Sequence, residues 1–217
     1  GADLVGGFRA LACREDLEAV LVLSPDWYGP LPILAACDAG KAVYCASPLD
    51  LDLERSDEVK QRVEKSGIAF MVEFPRRHAP ATVRLRELMA TRLGPPWLLQ
   101  CHGRDSQSGP DELRSTGSRY RPPSEDPGWQ SMVEMIDWCC YIADRPAIAV
   151  TASDHATGAS DRHWRRIQLE FDADQGLVAD LHDGRTVPRG WEEAENFRAP
   201  AELQVSCQHG VAFIDLP

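Results

Sequence analysis

The sequence of 217 residues predicts an α/β segment built on a parallel sheet, followed by an α+β segment with an open, mainly antiparallel sheet. In the first half, short apolar runs alternate with helical patterns, and strands separated by single helices pair in parallel through right-handed crossovers. Beyond Pro146 the apolar runs follow one another across short turn segments, as in antiparallel hairpins. Hydrophobic residues make up 43% of the chain, which is enough for packed cores. We therefore expect two domains, over residues 1–94 and 95–217.

The elements of the first half follow from apolar runs and their stop signals. Residues 18–24 are apolar and β-branched, which predicts a parallel strand that is buried on both faces. Glycines at the ends of the helical patterns are natural helix stops. In chain order, the predicted elements are strand 18–24, helix 30–38 ending before Gly40, strand 41–45, a longer helix from an Asp52 cap to Gly67, and strand 68–72.

The second half begins with a strand over residues 97–101. Residues 104–127 are polar and rich in Ser, Gly and Pro, which predicts a long loop. The next pattern, at 129–141, predicts a helix whose buried face is formed by Met132, Val133, Ile136 and Cys140. The remaining predicted strands are 148–152, 164–171, 177–181 and 203–206, with hairpin connections at 172–176 and 208–210.

Charge and cysteine usage limit the partners and the compartment. Lys and Arg number 23 against 34 Asp and Glu, a net charge of −11, which disfavours nucleic acid and anionic membranes as partners. No apolar run approaches the ~20 residues that span a bilayer, and the N-terminus does not read as a signal peptide. The seven cysteines form no CxxC pair, which favours reduced, mostly buried thiols over a disulfide framework. We expect a cytoplasmic protein.

Several short motifs occur in a fixed order and spacing. They are Ala19-Val-Leu-Val-Leu-Ser-Pro25, Ala35-Ala-Cys-Asp-Ala-Gly-Lys-Ala-Val-Tyr-Cys45, Pro48-Leu49, Phe70-Met-Val-Glu-Phe-Pro-Arg-Arg77 and Met135-Ile-Asp137. Together they resemble the glucose-fructose oxidoreductase/inositol dehydrogenase (Gfo/Idh/MocA) family, over most of residues 18–143 and more loosely over the C-terminal strands. The resemblance implies an incomplete Rossmann-like nucleotide-binding domain over 1–94 and an α+β substrate or oligomerisation domain over 95–217. It also implies hydride transfer between NAD or NADP and a sugar or polyol.

The sequence departs from the family pattern at three places. It contains no GxGxxG turn for a dinucleotide pyrophosphate, and Gly6-Gly7 is the glycine pair near its start. Ala46-Ser47 stands where the family carries Glu-Lys before Pro-Leu. Gln130 and Glu134 stand where the family carries an Asp and an acid/base His. We therefore expect an inactive or altered enzyme in this chain, without measurable NAD(H) or NADP(H) binding of its own.

Carrying the family's roles over by position gives candidate site residues. The catalytic candidates are Glu134, Ser47 and Gln130; the cofactor-binding candidates are Ser24, Pro25, Asp26, Ser47 and Pro48; the substrate-binding candidates are Arg76, Arg77 and Asp137.

Each candidate also has a plainer explanation. Glu134 acts as a base only if burial raises the pKa of its carboxyl group, and is otherwise a solvated helix carboxylate or the partner of a nearby arginine. The two arginines follow the carboxyl end of a strand, where α/β folds bind ligands, and the alternative is a salt bridge at the start of a helix. A metal site built on Glu134 and Asp137 would need a third ligand, and a surface carboxylate pair is commoner, so we expect no metal.

The resemblance also suggests the partners. A sugar or polyol is the expected small-molecule ligand, with NAD or NADP as cofactor if a glycine-rich N-terminal unit is present. The open sheet of this family packs against a partner subunit, so we expect a homodimer or larger homo-oligomer through a sheet face that bears Trp164, Ile167 and Leu169. The alternative is a non-catalytic binding or assembly module that keeps the fold for this surface.

Overall fold

The protein forms two compact units, each with its own apolar core. A computed structural model describes residues 3–23, 28–46, 53–103, 129–156, 163–172, 176–184 and 201–215. The first unit ends at Phe74 and the second begins at Pro75. Within the described residues, the first holds a parallel sheet and the second a mainly antiparallel one, so the predicted fold class is confirmed. The functional division at residues 94 and 95 stays a prediction.

The first unit alternates helices and strands along the chain. Its sheet has the order β1-β2-β3, and both strand pairs are parallel. Apolar side chains of β1 and β2 pack with those of the following helices, and this gives the unit its core. The elements are α1 (Phe8–Ala12), β1 (Ala19–Val22), α2 (Leu31–Asp38), β2 (Ala42–Cys45), α3 (Leu53–Ser66) and β3 (Phe70–Val72).

The expectation that the first strand is buried on both faces is wrong. Val20 and Val22 are buried, whereas Leu21 is 63% exposed and Leu23 is 68% exposed. Successive side chains of a strand point to opposite faces, and α2 packs against β1 on the valine side. A run of four apolar residues looks the same in sequence whether one face or both faces are covered.

The second unit places helices on one face of a six-stranded sheet. The strand order is β5-β6-β7-β4-β8-β9, and every neighbouring pair is antiparallel except the parallel pair β4–β7. The helical elements are α4 (Pro75–His78), α5 (Pro80–Leu88), a π-helical turn (Met89–Leu93) and α6 (Trp129–Ala143). The strands are β4 (Pro96–His102), β5 (Ala149–Ala156), β6 (His163–Asp172), β7 (Leu177–Gly184), β8 (Leu203–Cys207) and β9 (Gly210–Ile214).

The helix α6 buries a different face from the one predicted. Met132 is buried as expected, but Val133, Ile136 and Cys140 are only partly buried. The fully buried face turns instead toward Met135 and Trp138, together with Cys139 and Ile142. Apolar residues surround most of this helix, so its periodicity does not single out one face. No helix in the described part of the chain is long and apolar enough to cross a membrane.

A buried hydrogen bond joins α5 to α6. The indole Nε1 of Trp138 donates to Oγ1 of Thr82 at 2.9 Å, and both side chains are completely buried. A buried indole N–H needs such a partner, because it loses its hydrogen bond to water on folding.

The prediction that Trp164, Ile167 and Leu169 share one exposed sheet face is partly wrong. Ile167 and Leu169 are 5% and 3% exposed, because they lie on the helix-covered face in the core of the second unit. Trp164 has the opposite parity along β6 and lies on the face that none of the described helices covers, which we call the outer face of the sheet. Strand alternation therefore separates Trp164 from the other two predicted residues.

The cysteines agree with the expectation of mostly buried thiols. All seven are free, and five of them are buried, while Cys140 is partly buried and Cys13 is exposed. Cys101 and Cys139 lie next to each other, and this contact together with burial raises the pKa of the Cys139 thiol well above its ordinary value. Such a thiol is unreactive.

The Trp138–Thr82 bond gives a test of the second unit's packing. We expect Thr82→Val to lower the free energy of unfolding by about 1–3 kcal/mol, because it leaves the buried indole N–H without an acceptor. Thr91→Val is the matched control, since the exposed Thr91 hydroxyl only donates to the Glu87 carbonyl and its loss should cost less than about 0.5 kcal/mol. Equal costs in urea denaturation would contradict this account.

Candidate functional site

Five charged side chains meet in the second unit and include four of the predicted site residues. Pro75 begins α4, which places Arg76 and Arg77 in its single turn. Glu134 and Asp137 are three residues apart on α6, so they project from neighbouring positions of that helix. Glu202 immediately precedes β8 and completes the group, which we call the charged cluster.

Arg77 and Asp137 form a two-pronged ion pair. The Arg77 Nε donates to Oδ2 of Asp137 at 2.7 Å, and Nη2 donates to Oδ1. The guanidinium also lies over the Tyr141 ring, 5.4 Å from its centroid. The hydrogen bond to Asp137 raises the pKa of Arg77 above its ordinary value. These two residues therefore bind each other, and their contact with a substrate stays a prediction.

Arg76 is shared by two carboxylates. Its Nη1 donates to Oε1 of Glu202, and its Nε lies 3.5 Å from Oε2 of Glu134. The guanidinium carbon is 5.5 Å from the centroid of the Trp138 ring. The side chain of Arg76 is 19% exposed and that of Glu202 is 8% exposed. A charge pair this far from water is not screened as a surface pair is.

Glu134 is the carboxylate of the cluster that is best suited to exchange a proton. Burial raises the pKa of its carboxyl group above the ordinary value, and the negative charges of Asp137 and Glu202 add to the rise, while Arg76 opposes it. Its side chain is 25% exposed, so it remains within reach of a ligand from solvent. A carboxyl group with a raised pKa holds its proton more firmly than an exposed carboxyl group does, which suits a group that exchanges a proton with a ligand.

The other predicted site residues lie where side chains are not described. Ser24, Pro25, Asp26, Ser47 and Pro48 lie outside the described residues, and Gln130 is in α6 without a described side chain.

Sequence reasoning did not single out a tyrosine–carboxylate pair in the first unit. Tyr44 of β2 donates a hydrogen bond to Glu73, which follows β3, and this bond, with some burial, raises the pKa of Tyr44. Parallel strands bring these two positions together diagonally, since Tyr44 pairs with Met71 and Glu73 is two residues further along. The sequence signal that could have found this pair is that both residues point to the same face of adjacent strands. Many other residue pairs share this property, so the signal is weak.

Glu202 was missed as well, and backbone contacts hold it in place. Its N–H donates to Oδ1 of Asp215 at 3.1 Å, and its carbonyl accepts from the N–H of His102 at 2.9 Å. The neighbouring Gly103 donates to the His182 carbonyl at 2.7 Å, and a side chain at Gly103 would overlap the buried Asp183 carboxylate. This end of the sheet is therefore closely packed around carboxylates.

The described residues do not form a cradle for a dinucleotide pyrophosphate. Such a cradle needs a glycine-rich turn between a strand and the start of a helix. Gly6 and Gly7 precede α1, but no strand occupies residues 3–5 before them and α1 is only five residues long. Within the described ranges, no three His, Cys, Asp or Glu side chains are placed so that they could hold a metal ion.

Known proteins similar to this chain include several inositol dehydrogenases. No model of a protein family matches the sequence. An inositol 2-dehydrogenase from Cereibacter sphaeroides is 32% identical over 97% of this chain, and one from Rhizobium meliloti is 30% identical over 85% of it. The chain covers 54% and 55% of these two proteins, so it spans about half the length of the curated relatives it matches.

Solved structures with a similar fold also include an inositol dehydrogenase. The scyllo-inositol dehydrogenase from Lactobacillus casei, solved with bound NAD(H) and scyllo-inositol, superposes with a TM-score of 0.68 over 96% of this chain and 60% of that one. The two sequences are 17% identical, so this likeness concerns the fold.

The buried Arg76 gives a test of the charged cluster. We expect Arg76→Ala to lower the free energy of unfolding at neutral pH by about 3 kcal/mol, because it removes the guanidinium that pairs with the buried Glu202 carboxylate and with Glu134. Arg84→Ala removes an exposed pair with Glu87 and should cost less than about 0.5 kcal/mol. The difference should shrink in acid, where protonated carboxyl groups need no cation. A pH-independent difference in chemical denaturation would contradict the role of charge.

Proposed function

The chain belongs to the Gfo/Idh/MocA family of oxidoreductases, and on this premise we propose that it forms the substrate-binding part of an NAD(P)-dependent oxidoreductase of a sugar or polyol. The observation that carries the proposal is the position of Glu134. It lies on α6 where the family resemblance expects an acid/base group, and it is a partly buried carboxyl with a raised pKa.

In this proposal Glu134 replaces an imidazole as the group that exchanges the substrate's hydroxyl proton. The ionised carboxylate accepts the hydrogen bond of a substrate hydroxyl and then its proton. Arg76, 3.5 Å from the carboxylate, keeps the ionised form accessible despite burial. Gln130, one helical turn earlier, is proposed to bind a second hydroxyl, and Arg77 and Asp137 are proposed to border the same site.

The cofactor-binding region of the first unit is proposed from the topology of its sheet. Ser24, Pro25 and Asp26 follow β1, and Ser47 and Pro48 follow β2. Ligands of parallel α/β sheets bind beyond the carboxyl ends of the strands, so these two segments are proposed to face NAD or NADP. The pyrophosphate cradle is not formed by the described residues. In this proposal the polyol site belongs to this chain, and NAD(P) binding requires a glycine-rich turn that the sequence does not contain.

Ligand-dependent melting of the 217-residue chain tests this division of roles. We expect myo-inositol, scyllo-inositol or a related sugar to raise the Tm, with about 2.7 kcal/mol of added stability at a hundred-fold excess over Kd. Glu134→Gln should weaken the polyol about ten-fold, because it loses a charged hydrogen-bond acceptor. Glu170→Gln, a change at an exposed glutamate of β6, should leave the polyol affinity unchanged.

Calorimetry completes this test. NAD(H) and NADP(H) should show no measurable binding to the chain alone, and a micromolar Kd would contradict the cofactor part of the proposal. A Tm that no sugar or polyol moves, combined with stable self-association, would favour the non-catalytic assembly module instead.

We also propose that the protein forms a homodimer or larger homo-oligomer through the outer face of the sheet. Val211 and Phe213 of β9 are 49% and 65% exposed, and their parity places them opposite the buried Ile214. Trp164 lies on the same outer face, four strands away in the sheet order. Val211 and Phe213 are exposed apolar side chains on this face and Trp164 is partly exposed there, and exposed apolar side chains on a sheet face support its being covered by a partner.

Light scattering tests the assembly. The unmodified chain should have at least twice the monomer mass, and Phe213→Asp should shift it toward the monomer, because the variant buries a charge in the interface. Leu4→Asp places the same charge on an equally apolar, fully exposed residue of the first unit and should leave the mass unchanged. A monomeric unmodified chain would overturn the proposal.

A further inference from the structure

Four ring side chains form a row across the outer face of the second unit's sheet. His155 of β5 stacks on Trp164 of β6 with the ring centroids 5.2 Å apart, and the centroid of Trp164 lies 5.7 Å from that of His182 in β7. His182 in turn stacks on His102 of β4, with centroids 5.2 Å apart and the two imidazole planes 12° from parallel. Three of the four rings are therefore imidazoles, whose charge changes in mild acid.

Strand pairing brings the two stacked imidazoles together on the outer face. His102 and His182 are Cα partners in the parallel pair of β4 and β7. Their chain neighbours Cys101 and Leu181 are fully buried in the core on the helix-covered face, so the two imidazoles point to the other side of the sheet. Both histidines are partly exposed there.

The stacked pair lies between the side chains that the proposed assembly covers. In the strand order, β7 and β4 separate β6, which carries Trp164, from β8 and β9, the last of which carries Phe213. A second copy that covers both Trp164 and Phe213 therefore also covers His182 and His102. The interface proposed from apolar side chains thus has two imidazoles near its middle.

The charged groups around His182 come from its own strand and from β6. Arg166 is the Cα partner of His182, and its guanidinium binds Asp180, which is two residues before His182, at 2.8 Å. Burial lowers the pKa of His182 below its ordinary value, while Asp180 opposes this fall and Arg166 adds to it. From β4, the neighbour of His182 is the second imidazole, and two imidazolium ions in contact repel each other.

On the far side of His102, the neighbouring strand is β8. The His102 N–H donates to the Glu202 carbonyl, while the Glu202 side chain pairs with Arg76 of α4 in the charged cluster. The next outward position of β8 is the uncharged Gln204, which is the Cα partner of Gln100.

We propose that the stacked pair of His102 and His182 makes self-association through the outer face depend on pH: the oligomer is favoured when both imidazoles are neutral, and it dissociates when they take up protons in mild acid. The inference rests on the proposed assembly, because it concerns the regulation of that same interface.

The direction of the effect follows from hydration. A protonated imidazole at a partly exposed position of the separated subunit is hydrated, whereas a partner that covers the outer face removes this water. The covered histidines therefore bind protons less tightly than the same histidines in the separated subunit. Proton uptake then favours the separated subunits, and the dissociation constant of the oligomer rises as the pH falls through the pKa of these histidines in the separated subunit.

The net charge of the chain predicts the opposite direction. The chain carries a net charge of −11 near neutral pH and has a pI of about 5.0. Mild acid reduces this charge and with it the general repulsion between two copies, which favours association. An oligomer that weakens in mild acid therefore indicates a local group in the interface and not the overall charge.

Sedimentation velocity over a concentration series tests the inference in the unmodified chain. Between about pH 8 and about pH 6, we expect the dissociation constant of the oligomer to rise about ten-fold, since each subunit takes up protons when it separates. The double variant His102→Gln/His182→Gln keeps polar side chains that do not titrate, and its change over the same range should fall to about two-fold or less. His78→Gln alters an exposed histidine of α4 and should keep the ten-fold change.

Two results would overturn the inference: an oligomer of the unmodified chain that does not weaken at the lower pH, or a folded double variant that weakens as much as the unmodified chain. If the double variant does not fold, as judged by circular dichroism, His182→Gln alone should reduce the change to about three-fold. If that variant fails to fold too, the direction of the change in the unmodified chain decides.

The same measurement separates this inference from the proposed assembly. A chain that is monomeric at about pH 8 contradicts the assembly and this inference with it. An oligomer that is stable at both pH values contradicts the inference alone and leaves the assembly standing.

Discussion

The packing of the second unit depends on the guanidinium group of Arg76, which contacts two carboxylates and an aromatic ring. Arg76 enters from α4, meets Glu134 of α6 and Glu202 before β8, and lies over the Trp138 ring, which is itself bound to Thr82 of α5. Buried ion pairs contribute little net stability, but they are costly to leave half-paired, so they specify which segments must come together. The packing of three helical segments against the sheet and the chemistry of the cluster therefore rest on the same side chains.

The elements of the fold were largely predictable, but their buried faces were less so. Strands such as β2 and β7 are predicted by short apolar runs between turn residues. The change from parallel to antiparallel pairing is predicted because helices separate the early runs and short turns separate the later ones. The buried face of α6 was not predictable, since apolar residues occupy most of the circumference of this helix. Trp138 lies on the buried face because it packs against the sheet and donates a hydrogen bond to Thr82, and both contacts arise only in the folded unit. The one-sided burial of β1 depends on α2, which a four-residue pattern does not reveal.

Only the site residues that belong to sequence motifs, or lie at fixed distances from them, could be predicted. Arg76 and Glu134 stand at positions that the family resemblance marks, whereas Glu202 has no motif and lies 126 residues from Arg76. It arrives through the pairing of β8 with β4, a tertiary event. The raised pKa of Glu134 likewise arises from burial and from two carboxylates on different segments, so composition and spacing alone do not report it. The motifs therefore identified Arg76 and Glu134, whereas the environment that raises the pKa of Glu134 is set by the tertiary fold.

The central place of β4 in its sheet has a consequence for how the chain folds. This strand pairs on one side with β7, about 80 residues later along the chain, and on the other with β8, about 100 residues later. Pairings of such high contact order form slowly, because the entropy of closing a long loop is lost before the stabilising contacts between the strands form. During synthesis β4 leaves the ribosome well before either neighbour exists, so the second unit can complete its sheet only after the residues up to the end of β9 have been made.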